Sequence, residues 1–244
     1  MIDWLKRAEP AAEAQPYIEL GGEAVPIALR RHPTAKRLTL RLAPDGSEVR
    51  ITMPRWGRSA DAIDFAHSRT EWLAQQRAKV PQRREVRDGS TLMIAGETVT
   101  LAWDKHAPRR PVLTAGKLYV GGPAEGLASR VQRWLERRAL AAFENDVAHY
   151  CALADLSPAP VAISRAQRRW GSCSEKSRIR INWRLVQAPD FVRRSVAAHE
   201  VAHLVHFDHS PSFHALLADI YEGDISRADR WLKEQGRTLY TSFG

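Results

Sequence analysis

Hydrophobic and polar positions change rhythm several times along this chain. Tyr17 to Arg30, Arg37 to Leu42 and Glu48 to Met53 are short runs of strand-forming residues, with Pro44-Asp45-Gly46 as turn material between the last two. Ser59 to Lys79 shifts to helical spacing. Ser59 supplies a cap, and Ile63, Phe65, Ala66, Trp72 and Leu73 supply apolar surface. Short strands are expected again at Thr91 to Ile94, Thr98 to Trp103 and Lys117 to Val120, with turns at Asp88-Gly89 and Ala95-Gly96. After Gly121-Gly122-Pro123 a single long helix is predicted from about Gly126 to Ala154, and Pro158 and Pro160 punctuate its exit. No internal repeat, low-complexity tract or phosphate-binding glycine loop is legible.

The last third returns to strands before a second helical stretch. Val161 to Ser164 and Arg178 to Leu185 have strand character, with Ile179, Ile181 and Trp183 alternating against Arg180, Asn182 and Arg184. Turn material at Ser172 to Lys176 predicts a hairpin between them, its tryptophans Trp170 and Trp183 serving to pack it. Pro189 and Asp190 suit the first turn of a helix. Phe191, Val192, Val196, Ala197, Val201, Leu204 and Val205 spread apolar surface round most of its circumference, as in a helix buried within a domain. The expected fold is α+β: residues 1–123 form a small β-rich region with one helix, and residues 124–244 form a helical domain with a hairpin or sheet beside the buried helix.

That helix carries His199-Glu200-Val201-Ala202-His203. Histidines four apart point the same way, and the carboxylate beside the first is placed to act on whatever they bind. Histidine is crowded here, at positions 199, 203, 206, 209 and 214, so the third ligand must be chosen by geometry. On a straight helix His206 lies roughly 10 Å along the axis from His199, too far to share an ion held about 2.0 Å from each nitrogen. His209 can reach back if the helix ends near Phe207 or Asp208. Asp208 tolerates a left-handed conformation, and Ser210-Pro211 reads as an N-cap and first-turn proline opening the next helix. The set His199, His203 and His209 leaves one position open on a tetrahedral ion, which predicts catalysis rather than a closed structural site. Cys173 reads as a packing residue rather than a ligand.

Three ordered motifs make the chain resemble the YgjP-like family of zinc metallopeptidases, related to SprT-type and minigluzincin proteins, with zincin-like architecture. They are Arg169-Trp170-Gly171-Ser172-Cys173-Ser174, Ile179-Arg180-Ile181-Asn182-Trp183-Arg184-Leu185, and the His199 to His203 motif followed by His209-Ser210-Pro211-Ser212-Phe213. The resemblance implies the same assignment: His199, His203 and His209 on the metal, Glu200 as catalytic acid and base. Asp208 stands where Asn is usual in that pattern, and His214 follows Phe213 where Trp is common.

Zinc held by neutral histidines lowers the pKa of a bound water and polarises a carbonyl or phosphoryl oxygen. Glu200 is then the base that takes the water proton, and Arg168, Arg169, Arg178 and Arg180 are the cations nearest in sequence for binding substrate or a developing oxyanion. The leading expectation is a zinc-dependent peptidase acting on a peptide or protein. Two alternatives use the same residues: a metal-dependent hydrolase of nucleotides or phosphate esters, and a nucleic-acid-associated protein with structural zinc. Other first-row divalent ions suit the same nitrogens.

Bulk properties frame these readings. A formal net charge of +9 over 244 residues makes a polyanion, nucleotide or nucleic acid, an expected partner. Only Cys151 and Cys173 are present, so a reducing cytoplasm is the expected compartment rather than a disulfide framework. Met1 to Gln15 lacks the apolar stretch of a signal peptide, and no segment reaches membrane-spanning length.

Overall fold

The computed structural model describes residues 15–80, 82 and 84–243, so the signal-peptide reading for residues 1–14 lies outside it. The chain divides into two compact units at Val80. The first contains strands β1 (Tyr17–Leu20), β2 (Glu23–Arg31), β3 (Thr39–Leu42) and β4 (Val49–Met53), arranged β1-β2-β4-β3. Strand β2 runs parallel to β4, and the other pairs are antiparallel. Alternation turns Ile18, Leu20, Val25, Ile27, Val49, Ile51 and Met53 into a core shared with Ala62, Ala66 and Leu73. Those last residues sit on two helices, α1 (Ser59–His67) and α2 (Thr70–Ala78), where the sequence pattern predicts one. Hydroxyl groups compete with the helix at the break: Ser68 Oγ donates to the Phe65 carbonyl at 2.8 Å and Thr70 Oγ1 to the His67 carbonyl at 2.7 Å.

The second unit opens with β5 (Thr91–Ile94), β6 (Glu97–Asp104), β7 (Val112–Thr114) and β8 (Lys117–Gly121) in the order β5-β6-β8-β7. Order and strand senses repeat those of the first sheet, although no repeat is legible in the residues themselves. The region expected to close the N-terminal domain at residue 123 therefore divides. Leu92, Ile94, Val99, Leu101, Leu118 and Val120 enter the same core as the long helix α3 (Leu127–Leu153), so this sheet belongs with the C-terminal helices. Helix α3 buries Val131, Leu135, Ala139, Phe143, Val147 and Tyr150, a stripe at helical spacing along its whole length.

Three more strands come after α3: β9 (Val161–Ser164), β10 (Gly171–Cys173) and β11 (Ile179–Asn182), ordered β10-β11-β9. The hairpin is β10 with β11, while β9 lies parallel to β11, so the predicted pairing of the first strand with the last is corrected to a parallel one. Strand character also stops at Asn182 instead of Leu185. Asn182 Oδ1 accepts from the Arg184 backbone N–H at 3.1 Å, and Trp183–Gln187 winds into a 3-10 helix. Asn182 and Arg184, opposite the apolar side of the expected strand, are both buried. Asn182 Nδ2 donates to the Ala166 carbonyl at 2.7 Å, and the Arg184 guanidinium donates to the Phe243 carbonyl at the far end of the chain. Trp183 is fully buried, in line with packing.

Helices α4 (Asp190–Ala202), α5 (Pro211–Ile220) and α6 (Ile225–Gln235) complete the unit. The start of α4 is held from two sides. Arg193 Nε donates to Asp146 of α3 at 2.7 Å, and the β5–β6 turn donates backbone N–H groups of Ala95 and Gly96 to the Val186 and Gln187 carbonyls at 2.8 and 3.1 Å. Gly96 has φ +80°, and a Cβ there would meet the Pro189 Cα at 2.9 Å, so only glycine fits this contact. No helix among the described residues is long and apolar enough to cross a membrane. Cys151 and Cys173 are both free thiols.

Candidate metal centre

His199 and Glu200 lie in the last turn of α4, and His203 is its C-cap. The helix thus ends a turn earlier than the sequence pattern predicts, and the chain tightens through Leu204, Val205 and His206, whose N–H groups bond back to Val201 and Ala202. Asp208 does not take a left-handed conformation. Its carboxylate instead accepts hydrogen bonds from Ser210, which holds it below the usual carboxylate range. Ser210 then accepts from the Phe213 N–H, with Pro211 in the first turn of α5, as expected of this pair.

This corner brings three imidazole nitrogens together. Nε2 of His199 lies 3.1 Å from Nε2 of His203 and 3.3 Å from Nε2 of His209. All three ligand atoms fall within 4.8 Å of one another, and no fourth His, Cys, Asp or Glu joins them among the described residues. His206 is not among them. It follows the helix, and its backbone carbonyl accepts from His203 Nδ1 at 3.0 Å. A carbonyl can only accept, so the proton sits on Nδ1 and the Nε2 lone pair is free for a ligand bond. Phe213, fully buried, forms the floor, its ring centroid 4.6 to 5.0 Å from the three imidazoles. Burial, reinforced by the neighbouring imidazoles of His203, His209 and His214, pushes the His199 imidazole down to about 4 and keeps it neutral at neutral pH, the form that can bind a metal.

Glu200 points towards the edge strand β10. A Cβ on Gly171 would lie 2.2 Å from Glu200 Oε1, so the missing side chain makes room for the carboxylate. The Cys173 backbone N–H donates to Glu200, whereas Oε2 is buried with no hydrogen-bond partner. Burial pushes the Glu200 carboxyl up to about 7, against the opposing pull of Arg169 and the Cys173 N–H. Half-buried Cys173, its thiol raised by burial and by the Glu200 charge, is not among the groups that meet with the three histidines.

Beside the histidines lies a cleft of about 410 Å³. Trp170, Val196, Phe213, Leu217, Ile225 and Leu232 give it apolar walls, and Glu200, Asp229 and His214 give it polar ones. Arg168, Arg169, Arg178 and Arg180 are all exposed and none lines this cleft; Arg169 alone acts on Glu200, through space. Sequence reasoning did not single out Gly171, Phe213 or Asp229 for roles here. Gly171 and Phe213 stood inside recognised motifs, but Asp229 comes from α6 and had no local signal.

The model of the family described as YgjP-like, metallopeptidase domain, matches residues 36–235. The chain belongs to the YgjP-like metallopeptidase family. The match spans both compact units of this YgjP-like chain. No curated protein matches it. Among solved structures, the crystal structure of the metallopeptidase zymogen of Pyrococcus abyssi abylysin is similar over 39% of this chain and 96% of that one, at 21% identity and a TM-score of 0.35.

Proposed function

We propose that the chain is a zinc-dependent peptidase in which His199, His203 and His209 hold the ion and Glu200 is the general base. A zinc ion held by three neutral imidazoles supplies Lewis acidity to a carbonyl oxygen and lowers the pKa of water at its open position. Glu200 is suited to receive a proton at Oε2, the carboxylate oxygen with no hydrogen-bond partner among the described residues, and to return it to the leaving amine. Strand β10 is an edge of its sheet, so an extended peptide can add to it alongside Glu200. The two free thiols fit a reducing compartment, the cytoplasm.

The charge of the cleft carries the choice of substrate. Among the described residues no lysine or arginine lines it, while Glu200 and Asp229 are both acids. A triphosphate placed there would meet carboxylates without the cationic forks that phosphate sites use, whereas a neutral or cationic peptide side chain meets apolar walls with an acid among them. Purified protein assayed side by side on an unfolded protein and on nucleoside triphosphates should cleave the former, lose that activity to a chelator and regain it with zinc. Triphosphate hydrolysis without peptide cleavage would overturn the substrate assignment.

A further inference from the structure

We infer that the N-terminal unit carries a binding platform for single-stranded nucleic acid, centred on Trp56 and separate from the metal centre. Trp56 is 80% exposed, the most exposed large apolar side chain among the described residues. Its loop is nonetheless held firmly. Arg31 Nη1 donates to the Arg55 carbonyl at 3.0 Å and to the Gly57 carbonyl, and Nη2 donates to Ser59 Oγ at 3.2 Å. The Gly57 N–H closes the turn on the Pro54 carbonyl at 3.1 Å. Clamped on both sides, the loop backbone holds the root of this tryptophan in place while its ring faces solvent.

The charge around it is segregated by the sheet. Strands β2 and β4 are parallel and β3 is antiparallel to β4, so Arg30, the Lys36-Arg37 approach to β3, and the Arg55 to Arg58 loop all meet at one end. Between Arg30 and Ser59 the only acids are Asp45 and Glu48, and both lie at the other end, in the β3–β4 turn. Arg30, Lys36, Arg37, Arg55 and Arg58 are exposed, and none is in an ion pair with a carboxylate among the described residues. The register carries Arg41 and Arg30 on the face turned away from α1 and α2: Thr52 stands opposite both Arg30 and Thr39, and Arg41 stands opposite Arg50, which is itself ion-paired with Glu48. A positive track with an exposed aromatic ring is the arrangement that follows a phosphate backbone and stacks an unpaired base. Duplex reading calls for a helix or ribbon entering a groove, and this flat face has none. Membrane insertion calls for an apolar face, and Trp56 has only cationic or small exposed neighbours in its loop.

Fluorescence anisotropy with the full chain and labelled oligo(dT) and oligo(U) of about 15 nucleotides, over a series of salt concentrations, tests the site. Both oligonucleotides should bind, and a preference between them would tell which sugar the platform favours. Trp56→Ala should weaken binding about tenfold with the salt slope unchanged, the scale of one lost base stack. Arg37→Glu combined with Arg55→Glu should lower the salt slope by roughly 1.4, the value for two lost phosphate contacts on a single strand. Metal content and peptide cleavage should stay at the wild-type level in both variants. Binding unchanged by Trp56→Ala, or phosphatidylserine vesicles bound as tightly and with the same dependence on Trp56, would overturn the proposal.

Discussion

Glu200→Gln is expected to lower kcat/KM for a peptide by about 10²- to 10⁴-fold while leaving bound metal at the wild-type level. The substitution keeps the shape and size of the side chain and removes its basicity. Glu200 is buried beside the three imidazoles, and its Oε2 has no hydrogen-bond partner among the described residues, so the substitution removes the oxygen that is free to take the proton. The ligand set does not include it, so metal binding should survive. Steady-state kinetics and metal stoichiometry on the same preparation separate the two effects. Wild-type turnover in this variant would remove Glu200 from the chemistry.

Gly171→Ala is expected to reduce kcat by about a hundredfold, the cost of a general base displaced by about 1 Å, again with metal retained. The reason is spatial. The new Cβ would stand 2.2 Å from Glu200 Oε1 and 2.7 Å from its Cδ and Cγ, well inside contact distance, and a buried carboxylate has little room to withdraw. Backing away also breaks the hydrogen bond from the Cys173 N–H. The three histidines reach their meeting point from the end of α4 and from the corner before α5, so they are untouched. Turnover near wild type, with an unchanged pH profile, would show that β10 does not position Glu200.

The meeting of the three histidines was largely legible in the sequence because its information is local. Histidine spacing on one helix, the Ser210-Pro211 start of the next and the carboxylate between ligands lie within fifteen residues. Even there the helix ended at Ala202 rather than near Asp208, since tight turns through Leu204 to His206 are favoured by bonds the pattern of apolar residues does not encode. Long helices and most strands followed periodicity. The features that escaped were set by distant partners. Asn182 and Arg184 alternate with apolar residues as if on a strand, but Ala166 and Phe243 capture their side chains and the strand stops. Strand β7 is a three-residue edge, too short for its alternation to be read, and the sheet it joins shares a core with α3. The arginine cluster illustrates the converse, because nearness in sequence to α4 did not place those side chains among the residues that line the cleft.

Metal content, measured on purified His209→Ala beside His206→Ala, tests the three-histidine corner most directly. The two residues are three apart in sequence, yet only His209 sends a ring nitrogen to the meeting point, while His206 contributes a backbone carbonyl that alanine preserves. His209→Ala should therefore lose the ion and His206→Ala should keep it. A full complement of metal in His209→Ala, or its loss in His206→Ala alone, would contradict the assignment.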